Sequence, residues 1–210
     1  MFRRLSHGLL DLLAPLRCAA CDFPLPSGLD GFCEGCGLLL DPVSDVTVDR
    51  AAYLHGGPLA EAIARYKYQG RSELAGPLAR LLVEAARPLA GRFDLIASVP
   101  LHPRRLRARG YDQTALWVGP LARALGGRPA RELLERRRDT PPQVGLSADA
   151  RAANVRGAFS LPQPARVQDQ RVLLIDDVRT TGATLAACAE RVLAAGAATV
   201  ETLVLARREG

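Results

Sequence analysis

Lysine is nearly missing from this 210-residue chain: Lys67 stands alone among 28 basic side chains, and the other 27 are arginine. Lys67 is far from any strand-to-helix glycine loop, which excludes a phosphate loop of the form G-x-x-x-x-G-K-[ST]; the G-x-G-x-x-G fingerprint is absent as well. Aromatic residues make up 5% of the chain, which weakens the case for a stacking platform along a single nucleic-acid strand, although Tyr66, Tyr68 and Tyr111 lie near basic residues. His7, His55 and His102 are the only histidines, and none sits in a context that marks a catalytic base. No run of about 18 apolar residues occurs, which argues against a membrane-spanning helix.

What is present suits one medium domain with a small appendage. Apolar residues make up 48% of the chain and charged residues 24%, with a mean hydropathy of +0.03. Those values lie far from the composition of disordered chains and allow a full core. The net charge is +6 and the pI near 9.5. Arg104, Arg105, Arg107 and Arg109 fall within six residues, and Arg136, Arg137 and Arg138 are consecutive. Such clusters attract phosphate-bearing ligands, small or polymeric, although an ordinary solvated surface accounts for the same charge.

The start, Met1-Phe2-Arg3-Arg4 followed by leucines, loosely resembles a signal peptide, but Asp11 interrupts the apolar run. Leu5, Leu9, Leu12, Leu13 and Leu16 recur at helical spacing, so a short amphipathic helix and a cytoplasmic protein are expected. To about residue 45 the chain is rich in cysteine, proline and glycine and suits only a small, loop-rich unit. From 46 to 210 helical patterns alternate with short apolar runs. Helices are expected over 59–68, 74–89, 113–125 and 184–195, and strands over 94–99, 171–175 and 199–205. Leu133-Leu134 is a further strand candidate, and the polar stretch from Gln143 to Asn154 reads as mobile. Alternation of this kind implies an α/β domain with a mainly parallel sheet, whose ligands sit beyond the carboxyl ends of the strands.

Cys18-x-x-Cys21 and Cys33-x-x-Cys36 form two C-x2-C pairs eleven residues apart. Two tight turns of this kind can aim four thiolates at the corners of a tetrahedron, the geometry of a structural Zn²⁺ site. Such a site is closed to substrate, and its folding free energy would replace the core that a segment of this size lacks. Two disulfides or an iron-sulfur cluster are the alternatives. Cys188, among alanines in a helical pattern, reads as a small packing residue.

The segment Val172 to Thr184 joins an apolar run to a helix through Asp176, Asp177, Val178, Arg179, Thr180, Thr181, Gly182 and Ala183. Two adjacent carboxylates at the end of a buried strand are costly unless they face a ligand or a cation. The amides of a loop at a helix start, with the hydroxyls of Thr180, Thr181 and Thr184, can cradle a phosphate, and Gly182 removes a blocking side chain. A ribose 5-phosphate fits, its hydroxyls on Asp176 and Asp177. A strand-to-helix turn capped by aspartate is the plainer alternative.

This string resembles the phosphoribosyl-pyrophosphate (PRPP) motif of type I phosphoribosyltransferases. Joined to the four cysteines, it resembles the ComF family of competence-associated proteins, in which a zinc ribbon precedes a phosphoribosyltransferase-like domain. Tyr66-Lys67-Tyr68-Gln69-Gly70, Val99 to Arg105 leading to Arg109-Gly110-Tyr111-Asp112-Gln113, and Gln143, Leu146, Arg151 and Asn154 with Gly157-Ala158-Phe159 extend the match. The family more often carries Phe-Asn where this chain has Tyr111-Asp112, which exchanges a neutral amide for a carboxylate.

The resemblance implies a type I phosphoribosyltransferase-like sheet behind a zinc-ribbon-like unit. It places pyrophosphate beside Pro100, Leu101 and His102, with Arg104, Arg105 and Arg109 supplying charge and Lys67 a further phosphate contact. Residues 143–154 resemble a hood able to bring Arg151 onto a phosphate. Asp176 and Asp177 are the expected catalytic residues, with Mg²⁺ accompanying the pyrophosphate. Enzyme and binding module both stay open. The first transfers a phosphoribosyl group; the second handles single-stranded DNA through the zinc ribbon and the arginines, beside a helicase-like partner at the inner face of the membrane. A structural adaptor with a degenerate site is disfavoured by the intact acidic pair and loop.

Overall fold

The structure, a computed structural model, describes residues 16–26, 28–138 and 157–209. The expected amphipathic helix up to residue 15, and the 143–154 stretch with Arg151, lie outside the described residues.

Five parallel strands form the central sheet: β1 (Ala51–Leu54), β2 (Leu95–Ser98), β3 (Arg128–Pro129), β6 (Arg171–Arg179) and β7 (Thr199–Arg207). Their order across the sheet is β1-β7-β6-β2-β3. A separate antiparallel pair, β4 (Glu135–Arg136) with β5 (Phe159–Ser160), stands apart from it. The principal helices are α1 (Gly57–Tyr68), α2 (Ala75–Ala86), α3 (Pro103–Arg109), α4 (Ala115–Leu125) and α5 (Ala183–Ala194).

Alternation along β6 divides the core in two. Leu173 and Ile175 pack with α1, α2 and α4, around Leu59, Leu78, Leu82, Trp117 and Leu121. Val172 and Leu174 face the other layer, with Leu185, Cys188 and Val192 of α5 and with Phe159. Cys188 is thus fully buried, as its alanine-rich setting implies. Before β1, the chain at Asp41 and Val43 hydrogen-bonds back onto Leu54 and Ala52, covering the edge strand. At Gly127 a Cβ would lie 2.3 Å from Ile96 Cδ1 and 3.1 Å from Phe93 O, so only glycine lets α4 turn tightly into β3.

The element boundaries depart from the periodicity at informative places. β6 runs on to Arg179, four residues past the apolar run, because Asp176 to Arg179 keep their ladder with β7. Leu133 and Leu134 are buried, but the strand lies two positions later, at Glu135–Arg136. Short 3-10 turns flank α2 at both ends, and α4 begins at Ala115, two residues after the expected start. β1, only four residues long and preceded by a single helical turn at Val46–Asp49, carried no periodic signal.

Candidate functional site

The four cysteines meet. Their sulfurs lie within 4.8 Å of one another, with Cys21 Sγ 3.7 Å from Cys33 Sγ, and none forms a disulfide. A tetrahedral ion with zinc-to-sulfur bonds of about 2.3 Å sets its ligands about 3.8 Å apart, so the cluster fits Zn²⁺. The backbone N–H of Cys33 points at Cys18 Sγ from 3.3 Å. Burial raises the Cys18 thiol, but amide donation from Cys21, Cys33 and Ala20 outweighs it and brings the group down to about 6. A sulfur held this way is ready to be a ligand.

At the carboxyl end of the sheet, the same alternation that divides the core separates the two aspartates. Asp177 points toward α1 and α4, where Lys67 Nζ meets Oδ1 at 2.7 Å and Gln113 Nε2 meets Oδ2 at 2.8 Å. Only 4% of it is exposed. The Gln113 carbonyl oxygen takes Arg109 Nη1 in turn, which fixes the amide orientation and joins Arg109, Gln113, Asp177 and Lys67 in one polar chain. Asp176 accepts the N–H of Asp177 at 2.8 Å and forms no ion pair among the described residues. Burial first, and the Asp177 charge second, push its carboxyl up to about 8, against the pull of Lys67. A carboxylate in that state gains from a nearby cation.

Beyond Asp176 the strand gives way to Thr180 and Thr181, and Gly182 turns into α5 with φ at 78°, in the left-handed region that favours glycine. Asp176, Thr180, Gly182, Ala183 and Thr184 line a cleft of about 50 Å³ at the start of α5, the size of a single small anion. It adjoins a cavity of about 440 Å³ lined by Asp176, Asp177, Thr180, Thr184, Lys67, Pro100, Leu101, Arg105 and Arg109. Nine of the expected residues therefore meet around one space. Thr181, His102 and Arg104 are not part of either lining.

The remaining expected residues take definite positions. His102 caps α3, its Nδ1 accepting from Arg104 N at 3.3 Å. Asp112 works as a cap too: it accepts from the N–H groups of Thr114 and Ala115 at 3.1 and 3.0 Å with one oxygen, and from Leu101 N at 3.2 Å with the other. The carboxylate thus ties the start of α4 to the loop after β2. Of Tyr66, Tyr68 and Tyr111, the first is buried and the last partly buried; only Tyr68 is open, 77% exposed, with the Arg109 guanidinium 5.6 Å from its ring centre.

Sequence reasoning missed several residues of this cavity. The face of α1 carrying Ala60, Ile63 and Ala64 forms an apolar wall that ends in Lys67 and Tyr68. His55 and Arg208, at the ends of β1 and β7, line this cavity and also a neighbouring one of about 540 Å³. Burial, then the Arg208 charge, lower the His55 imidazole below its ordinary value. Only the pairing of two edge-side strands brings these residues here, and no local pattern announces it.

Residues 115–210 match the model of the phosphoribosyl transferase domain. DNA utilization protein YhgH of Escherichia coli O6:H1 is 43% identical over 155 residues, covering 71% of this chain and 67% of that protein. Competence protein F of Haemophilus influenzae is 36% identical over 167 residues, covering 76% of this chain and 72% of that protein. Among solved structures, the chain is similar to an allosteric regulatory enzyme of purine biosynthesis, with a TM-score of 0.46 and 21% identity over 67% of this chain and 29% of the other. It is also similar to adenine phosphoribosyltransferase from Thermoanaerobacter pseudethanolicus, with a TM-score of 0.40 and 20% identity over 66% of this chain and 71% of the other.

Proposed function

The chain belongs to the ComF family, with Competence protein F and the YhgH proteins as relatives, and from that membership we propose that its cavity binds PRPP or a related ribose 5-phosphate ligand together with Mg²⁺. The observation that carries this reading is the anion-sized cleft at the start of α5 opening directly beside the cavity-facing Asp176. Amides and hydroxyls from 180 to 184 take the 5-phosphate, and Asp176 accepts from the ribose hydroxyls. Arg105 and Arg109, with the loop at Pro100 and Leu101, face a pyrophosphate. The acidic pair is the donor set that would hold Mg²⁺, which would neutralise charge on the phosphates. Asp177 orients Lys67, whose ammonium keeps two further donors after its ion pair. The apolar wall of α1 with Tyr68 suits a nucleotide-like ligand. Phosphoribosyl transfer is the reaction class this arrangement supports, with residues 1–45 as an N-terminal helix and zinc-ribbon-like unit ahead of the phosphoribosyltransferase-like domain at 46–210.

A second reading, a single-stranded DNA factor, is favoured by α3. Its cap sits beside the cavity, and it carries Arg104, Arg105, Arg107 and Arg109. The names of the relatives, DNA utilization and competence, point the same way. Among the described residues no helix is long and apolar enough to cross a membrane.

Calorimetric titration of the zinc-loaded protein with Mg·PRPP tests the first reading. Saturable binding, weakened about ten-fold or more in Asp176→Asn, supports it. A wild type without saturable heat at millimolar ligand contradicts it and leaves DNA binding with steep salt dependence as the better account.

A further inference from the structure

Asp22 follows Cys21 directly, and the cysteine turn sets its backbone. Its φ is 60°, in the left-handed region that few residues other than Gly, Asn and Asp occupy. Its N–H donates to Cys18 O at 3.1 Å, and Arg17 Nη1 holds its carbonyl at 3.1 Å. From that fixed backbone the carboxylate reaches out of the cysteine unit and takes one arginine with each oxygen. Oδ2 pairs with Arg65 Nη1, and Oδ1 with Arg71 Nη1 at 2.9 Å. Arg65 lies in the last turn of α1, and Arg71 just past its end, beyond Gly70 at φ 68°. The two arginines bracket the helix terminus, and Asp22 closes the clamp.

Inside that clamp sit the residues that reach the cavity. Tyr66 is fully buried, its hydroxyl donating to Gln113 O at 3.0 Å. Its own carbonyl accepts from the Tyr111 hydroxyl. Lys67, two residues after Arg65, meets Asp177 at 2.7 Å, and Tyr68 stands at the cavity mouth. A terminus of α1 that frayed by one turn would withdraw Lys67 and Tyr68 together. Among the described residues, the other ion pair between the cysteine unit and the body, Asp30 with Arg80, lands on α2, which contributes nothing to the cavity lining.

We propose that Asp22 is a positioning residue for the ribose-phosphate cavity: held by the metal-binding turn, it clamps the end of α1 and sets where Lys67 meets Asp177. The proposal rests on the reading of that cavity given above. It makes a four-cysteine site remote from the ligand a determinant of ligand affinity, through the chain Cys21, Asp22, Arg65, Lys67, Asp177. The arginine pairs are partly exposed, so the coupling is modest, on the order of five-fold in affinity.

The test titrates zinc-loaded wild type, Asp22→Asn, Asp30→Asn, Lys67→Met and Asp22→Asn/Lys67→Met with Mg·PRPP, with zinc content measured for each. Asp22→Asn is expected to keep its zinc and to raise Kd about five-fold, while Asp30→Asn leaves Kd unchanged. In the Lys67→Met background Asp22→Asn should add nothing, because it acts through the lysine. Equal Kd for Asp22→Asn and wild type, or an effect that persists without Lys67, overturns the proposal. A wild type that binds no ligand contradicts the ribose-phosphate reading instead. In that case, or if Lys67→Met does not fold, the rate at which a chromogenic chelator strips zinc decides the matter. Arg65→Ala should lose zinc several-fold faster than wild type, and an unchanged rate overturns the clamp.

Discussion

Removing the ammonium of Lys67 tests the polar centre of the site through stability alone, with no ligand needed. Lys67→Met keeps most of the aliphatic stem on the α1 wall but leaves Asp177, 4% exposed, without its ion pair. Breaking a buried pair from one side costs about 3–5 kcal/mol, since the remaining charge keeps its desolvation penalty and loses its partner. Two observations lower that figure here: the Lys67 side chain is 17% exposed, and Gln113 Nε2 still donates to Asp177 at 2.8 Å. The expected loss is about 2–3 kcal/mol. With a urea m-value of roughly 3 kcal/mol/M, the midpoint falls by about 1 M. Urea unfolding of zinc-loaded protein, followed by far-UV circular dichroism, measures it. In an Asp177→Asn background the same substitution should cost under about 1 kcal/mol, because no buried charge is stranded. A loss below about 0.5 kcal/mol in the wild-type background, or an equal loss in both, would refute the reasoning.

Other consequences follow from individual contacts. Asp176, pushed up to about 8, binds a proton in the native state between about pH 4 and 8 that the unfolded chain has released, so its contribution to stability falls as pH rises through that window. Melting temperatures from pH 5 to 8.5 should therefore decline more steeply for wild type than for Asp176→Asn, and parallel curves would remove the effect. Gly127→Ala drives a methyl into Ile96 Cδ1 and Phe93 O and should cost about 1–3 kcal/mol in thermal or urea unfolding. Asp112→Asn should keep the cap on Thr114 and Ala115 but lose the acceptor for Leu101 N, costing about 1 kcal/mol in the same assay. Cys33→Ala should abolish zinc retention, read by elemental analysis of the purified chain.

Much of this was legible in the residue order, and the rest was hidden for identifiable reasons. The spacing of Cys18, Cys21, Cys33 and Cys36 is local and chemically narrow, so four sulfurs within 4.8 Å follow from it. The apolar run from Val172 to Ile175, ending in two carboxylates and a threonine-glycine turn, likewise marks a central strand feeding a helix. The division of labour between those carboxylates was not legible. Asp177 finds Lys67 110 positions away and Gln113 64 positions away, and only the folded sheet decides which face each aspartate takes. The same applies to His55 and Arg208, which meet because β1 pairs with β7. Strand ends were underestimated, since polar residues continue a ladder once distant partners satisfy their side chains. Tyr66 and Tyr111 looked available for stacking from their basic neighbours, yet the core of α1 and α4 absorbs them.

The central claim is that the cavity recognises a ribose 5-phosphate through a phosphate cradle and a hydroxyl-accepting Asp176. Competition of ribose 5-phosphate and 2-deoxyribose 5-phosphate for the Mg·PRPP site, followed by calorimetry on zinc-loaded protein, addresses it most directly. At pH 8.5, above the range in which Asp176 holds its proton, the account predicts that wild type prefers the ribose form about ten-fold, the worth of one hydrogen bond to a carboxylate, and that Asp176→Asn loses that preference. Equal affinity for the two sugars in wild type, or a preference for the deoxy form, would contradict it.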